Sequence, residues 1–204
     1  SPQFAVFFVI ILGALGLIGG WFLNILFFWA IVAYLILQIL YSFWLKRVVI
    51  IDVLTIALGF VIRVIAGAVA INVSFSVWLI LCTFFLALFL AISKRRNELL
   101  YGVGYKSRGV LQEYSLNFLN QMNMVVLPST IIAYAFYTFS SEHSKWLMIT
   151  IPIVVYGLFR YLFIMDKKHV SDNGPSDDVL QDVSLQIVVG VWIIASCLIL
   201  IYGR

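Results

Sequence analysis

The chain has 204 residues, 64% of them hydrophobic and only 11% charged, with a net charge of +4 and a mean hydropathy of +1.10. A soluble domain of this size has no use for so apolar a surface, so a soluble globular protein is excluded. The two cysteines, Cys82 and Cys197, lie within apolar runs, read as small core residues and support neither a disulfide nor a zinc site.

Apolar runs of about 20 residues, enough to cross a hydrocarbon core of roughly 30 Å, recur along the whole chain. They are continuous and do not alternate every second residue, which excludes a transmembrane barrel. The expected fold is all-α: a polytopic membrane helical bundle of about seven transmembrane helices, forming a single transmembrane domain over residues 1–204. The spans are read at 4–22, 25–45, 49–71, 75–93, 116–139, 146–165 and 184–202.

The first span opens almost at Ser1, with neither a basic n-region nor a small-residue cleavage site. No signal peptide is expected, and the chain reads as one that starts mid-stream. Gly13, Gly16, Gly19 and Gly20 mark it as a close helix contact, as do Gly59, Ala66, Gly67 and Ala70 in the third span.

The second span ends in a basic knot that runs from Tyr41 and Ser42 to Lys46 and Arg47, with Asp52 just beyond. Tyr41 and Lys46 are five residues apart and share a stripe only if the helix unwinds near its end. Arg63 sits alone in the third span, about 16 Å along a helix from Asp52. A guanidinium at that depth costs about 2.5–3.5 kcal/mol on insertion scales. Arg63 is therefore expected to face the bundle interior, either in an internal ion pair or capping broken-helix carbonyls, or lining a polar pocket that opens to the cytoplasm.

Lys94, Arg95 and Arg96 close the fourth span, Glu98 follows within one turn, and Lys106, Arg108 and Tyr114 precede the fifth. This density exceeds what topology alone requires and suits phosphate, through charge-assisted bonds and bidentate arginine forks. Anionic lipid headgroups are the competing partner. Pro128 and Pro152 are placed inside spans and are expected to kink them. Trp21, Trp78 and Trp146 fall at one set of ends, as interfacial anchors do. Arg160 is close enough to Asp166 to snorkel. Asp178 and Asp182, spaced i, i+4 in an acidic last loop, are weak candidates for a divalent ion. A solvated loop with an aspartate at a helix N-terminus is the alternative.

The loops alternate sharply. Lys46, Arg47, Lys94, Arg95, Arg96, Lys106, Arg108, Lys167 and Lys168, nine of the 13 basic residues, gather on one side, and the other loops are nearly uncharged. By the positive-inside rule the charged loops are cytoplasmic, in the cell membrane.

Taken together, the Tyr41–Arg47 knot, Asp52, the run from Gly59 to Ala68 around Arg63, Ser76 to Trp78 and Lys94 to Leu99 resemble the UbiA superfamily of intramembrane prenyltransferases, and within it the phosphoribosyl-transferring branch. Pro175 to Asp182 resembles that family's last cytoplasmic loop. The resemblance implies nine helices, of which this chain lacks the first two. A first aspartate-rich, magnesium-binding motif would then precede Ser1. Where aromatic-prenylating members carry a second aspartate-rich motif, this chain has Lys94, Arg95, Arg96 and Glu98.

The resemblance further implies transfer of 5-phosphoribose from phosphoribosyl pyrophosphate to a polyprenyl (decaprenyl) phosphate for cell-wall arabinan, with Mg2+ as cofactor. Substrate binding falls to Tyr41, Ser42, Lys46, Arg47, Asp52, Arg63, Lys94, Arg95, Arg96, Glu98, Arg108 and Tyr114. Membrane lipid is a partner, a homo-oligomer is an option, and nucleic acid is not expected. Transfer of a prenyl group from its diphosphate to an aromatic or glycerol acceptor is the alternative activity, and a non-catalytic lipid carrier is the alternative class.

Overall fold

Among the described residues there are seven α-helices: α1 (Pro2–Leu23), α2 (Ile25–Phe43), α3 (Ile51–Ala70), α4 (Val77–Tyr101), α5 (Leu116–Phe139), α6 (Ile151–Lys167) and α7 (Val183–Tyr202). Short 3-10 segments at Leu45–Arg47, Gly109–Gln112 and Lys145–Thr150 lead into or out of them. The computed structural model describes residues 2–101, 109–140, 145–167 and 182–202, and no strand occurs among the described residues. Six segments are long and apolar enough to cross a membrane, and the described apolar part of α1 is the shorter run Leu12–Leu23. The fold is the polytopic helical bundle that the hydropathy predicts.

Capping residues set most of the helix starts. Asn24, with extended backbone, accepts the Leu26 N–H at 2.8 Å, and the Ser76 and Ser115 hydroxyls accept from Trp78 and Phe118, each at 3.1 Å. Asp182 does the same for Leu185 at 2.7 Å.

Two compact units emerge, residues 1–75 and 76–204. In the first, α2 packs between α1 and α3 in sequence order. Gly20 lets α2 come close, since an added Cβ there would sit 2.8 Å from the Ile31 side chain. Between α2 and α3 the helix does unwind: Trp44 ends α2, and a 3-10 turn carries Lys46 and Arg47. Ile50 then takes φ 71° and ψ −45°. A β-branched residue is strained there, so this joint is held by its surroundings and not by local preference.

In the second unit α4 lies along α5, and α6 packs on α5 and α7. Phe89, Ile92 and Leu119 are fully buried between these helices, and Phe89 meets Tyr161 edge-on at 5.5 Å. One polar knot ties three elements together. Trp192 Nε1 donates to the Tyr134 hydroxyl at 2.8 Å, Tyr134 donates to Thr150 Oγ1 at 2.6 Å, and Thr150 donates to the Leu147 carbonyl at 2.6 Å. Every member is satisfied, which is the condition for a buried network to stabilise.

Three expectations are corrected here. The fourth span does not end at residue 93. Helix α4 continues to Tyr101, because Arg95 and Glu98 pair one turn apart and the segment is rich in helix formers, so the basic residues lie on a helix. Pro152 does not kink a helix interior. It is the second residue of α6 and directly follows the 3-10 segment Lys145–Thr150, so it marks the change from one helix type to the other. Trp78 is not simply an anchor, since its ring stacks on Phe136 at 4.6 Å and 20°.

Candidate functional site

The α2–α3 joint presents one group of predicted residues. Ser42 and Arg47 are exposed, Tyr41 and Lys46 are half-buried, and all stand on the last turn of α2 or the 3-10 turn after it. Asp52, in the first turn of α3, is completely buried. Its charge suits a helix N-terminus, but its carboxylate is closed to a solvent-borne ligand.

The end of α4 separates the basic triplet. Successive helical residues point about 100° apart, so Lys94, Arg95 and Arg96 leave the helix in three directions. Lys94 is exposed. Arg95 is only 1% exposed and forms an ion pair with Glu98 at 2.6 Å. Arg96 is half-buried, and its Nε donates to Asn120 Oδ1 at 2.7 Å while its two terminal nitrogens donate to the Met165 carbonyl and to Asp166, both at 3.2 Å. It thus fastens α4 to α5 and α6. Beside it, Asn97 donates to Met165 Sδ at 2.8 Å and Asn123 donates to Ser93 at 3.4 Å, while the amide oxygens of both asparagines are buried without a hydrogen-bond partner. Tyr114 is 4% exposed, with its ring stacked near Phe118. Among the described residues of this group, Lys94 alone offers an exposed cation. Arg108 and Asp178 lie outside the described residues.

Arg63 does not face a buried interior, and among the described residues it pairs with no carboxylate. Its side chain is exposed on α3, its guanidinium carbon lies 4.9 Å from the ring centroids of both Tyr34 and Phe60, and a terminal nitrogen donates to the Tyr34 hydroxyl. Gln38 donates to the same hydroxyl at 2.6 Å. Cation–π contact and a hydrogen bond stand where an internal ion pair was one of the expected arrangements. Gly59, one turn before Arg63, faces the Tyr34 ring, which would lie in ordinary contact, 3.7 Å, with an added Cβ. Sequence reasoning missed Tyr34 and Gln38. The available signal was their i, i+4 spacing in an otherwise apolar run.

Among the described residues no group of three or more His, Cys, Asp and Glu side chains could hold a metal ion. Asp182 is already engaged: Arg160 grips both its oxygens, at 2.6 and 3.3 Å, and the Leu185 amide takes a third bond. It therefore caps α7 and straps it to α6 and makes a poor cation ligand, and the described residues do not fit a resident divalent ion. The Arg160 hydrogen bonds hold the Asp182 carboxyl below the usual carboxylate range, against a smaller opposing effect of burial. A depressed folded value means the stabilisation is complete above the ordinary carboxylate pKa of about 3.9 and is lost as pH falls through the folded value. Amide exchange at Leu185, corrected for intrinsic rate, should be flat from pH 7 to 5 and accelerate only below about pH 4. In Asp182→Asn it should be faster throughout, without that acid step. An acid step unchanged in the variant would remove the strap from the account.

Comparison with known proteins places these observations. A family model described as the UbiA prenyltransferase family matches residues 1–176. A decaprenyl-phosphate phosphoribosyltransferase of Corynebacterium glutamicum is 31% identical over 168 residues, covering 78% of this chain and 50% of its own length. The protein of the same name from Mycolicibacterium smegmatis is 27% identical over 196 residues, covering 90% of this chain and 61% of its own. The chain thus spans about half to three-fifths of the curated relatives it matches. A UbiA homologue from Archaeoglobus fulgidus, solved bound to Cd2+, superposes with a TM-score of 0.73 over 98% of this chain and 74% of that one, at 20% identity, which shows the shared fold.

Proposed function

The chain belongs to the UbiA prenyltransferase family, and from that premise we propose that it forms the larger part of a polyprenyl-phosphate phosphoribosyltransferase in the cytoplasmic membrane, with its site on the cytoplasmic side. The observation that carries this reading is the similarity to relatives that bear that name. The charge pattern supports it: basic residues, and not paired carboxylates, mark the ends of α2 and α4.

The reaction follows from the substrates. An oxygen of the polyprenyl phosphate attacks C1 of the ribose in phosphoribosyl pyrophosphate, the bond from C1 to the pyrophosphate oxygen breaks, and the electron pair leaves with pyrophosphate. The attacking oxygen is already anionic, so no strong general base is required, and catalysis rests on positioning and charge stabilisation. Lys46, Arg47 and Lys94, with Arg108, are assigned to the phosphates. The hydroxyls of Tyr41 and Ser42 add contacts. Asp52, fully buried, braces the α2–α3 joint, and Arg95, Arg96, Glu98 and Tyr114, more enclosed than Lys94, brace the end of α4. Arg63 stands about 18 Å along α3 from Ile51, beyond the reach of a donor held by Lys46 and Arg47. Mg2+ would neutralise the leaving diphosphate. The described residues form no cage for it, and no role here depends on it.

The test uses the full-length protein in lipid, given labelled phosphoribosyl pyrophosphate with decaprenyl phosphate, or labelled prenyl diphosphate with an aromatic acceptor. Label from the first donor should enter the organic phase. Transfer from prenyl diphosphate alone would replace this reading with ordinary prenyl transfer.

A further inference from the structure

We propose that Asp166 is an internal stand-in for a phosphoryl group: it occupies the outward nitrogen of Arg96 and yields it when a phosphorylated ligand reaches the end of α4. This exchange rests on the reading that the end of α4 faces the phosphates of a soluble donor. It adds to that reading a carboxylate that limits how tightly those phosphates are held.

The pair is built to be exchanged. Arg96 is fixed on its inner side, where Nε donates to Asn120 at 2.7 Å and one terminal nitrogen donates to the Met165 carbonyl at 3.2 Å. These anchors come from α5 and α6, so the plane of the guanidinium is set without Asp166. The other terminal nitrogen meets a single oxygen of Asp166 at 3.2 Å, longer than the roughly 2.7–2.9 Å of a strong charge-assisted bond. The Arg95–Glu98 and Arg160–Asp182 pairs, by contrast, both close to 2.6 Å. The Asp166 side chain is 82% exposed, against 17% for Arg96, so water competes for the carboxylate and the contact contributes little to stability.

Local preference does not account for a carboxylate here. Asp166 stands in the last turn of α6, where the helix dipole favours cations and disfavours anions. Aspartate is also a poor helix former. A charge set against both preferences, beside a guanidinium that is otherwise anchored, points to a use at that guanidinium. A phosphoryl oxygen carries the same sign of charge and accepts the same hydrogen bond, and a phosphate group can take two N–H bonds where Asp166 takes one. Met165, next to Asp166 in the chain, is buried, so α6 stays in place when the carboxylate turns to solvent. The returning carboxylate would loosen product pyrophosphate as well as the donor.

The test is equilibrium binding of labelled inorganic pyrophosphate to the full-length protein in nanodiscs of neutral lipid at low ionic strength, with thermal unfolding of the same samples. Asp166→Asn should tighten binding about two- to fivefold, the size of an exposed ion pair released. Asp166→Glu, which keeps the charge, should stay near the wild type. Arg96→Gln should weaken binding, and adding Asp166→Asn to it should restore nothing, because the carboxylate acts through that guanidinium. The melting temperature of Asp166→Asn should hold, since Arg96 keeps its two inner bonds. Tightening of equal size in the Arg96→Gln background would assign the effect to overall charge and overturn the exchange. Unchanged affinity in Asp166→Asn, with a lower melting temperature, would make Asp166 a strap and overturn it too; both results leave the proposed reaction standing. A wild type that binds no pyrophosphate would overturn the donor reading and the exchange with it.

Discussion

Replacing Lys46 and Arg47 together by alanine in the full-length protein is expected to lower kcat/KM for phosphoribosyl transfer by about 10²–10³-fold. Hydrogen bonds to charged groups contribute roughly 1.5–3 kcal/mol each, and about 1.4 kcal/mol is a factor of ten. Two cations on one polyanionic donor do not add fully, which sets the range below the simple product. Lys94→Ala should cost roughly tenfold by the same arithmetic. Each loss should shrink as ionic strength rises, since the exposed part of the attraction is screened. Wild-type turnover in the double variant would remove the α2–α3 joint from the site.

Glu98→Ala should act differently, through the fold. Arg95 is 1% exposed and Glu98 12% exposed, so removing the carboxylate breaks an ion pair at a buried guanidinium. Breaking such a pair costs about 3–5 kcal/mol. Thermal unfolding in detergent should show a large drop for Glu98→Ala. The paired change Arg95→Met with Glu98→Leu should recover most of it, because removing both charges removes the desolvation cost as well. If the paired variant also retains transfer activity, Arg95 is a brace and Lys94 the contact. An undiminished melting temperature for Glu98→Ala would contradict the structural role.

The bundle was legible because lipid imposes long apolar runs, and every expected span corresponds to a helix. Its boundaries were less so where charge and helix coincide. Hydropathy drops at Lys94, yet α4 runs on through Arg95, Arg96 and Glu98 to Tyr101, since helix propagation there is carried by propensity and an i, i+3 pair. That difference decides the chemistry, because a basic triplet on a helix cannot close on one phosphate as a loop could. The environment of Arg63 was hidden for another reason. Its partners come from α2, and only packing brings Tyr34 onto the Gly59 side of α3. Asp182 illustrates the same limit, since its spacing to Asp178 suggested a cation and its capture by Arg160 depends on how α6 meets α7.

The measurement that bears most directly on phosphoribosyl transfer is a structure of the full-length protein with phosphoribosyl pyrophosphate bound in a membrane mimic. Lys46 or Arg47 should lie within hydrogen-bonding distance, roughly 2.7–3.2 Å, of phosphate oxygens on the donor. A donor bound elsewhere, with Lys46 and Arg47 both turned toward lipid headgroups, would contradict a cationic grip on the donor at the α2–α3 joint.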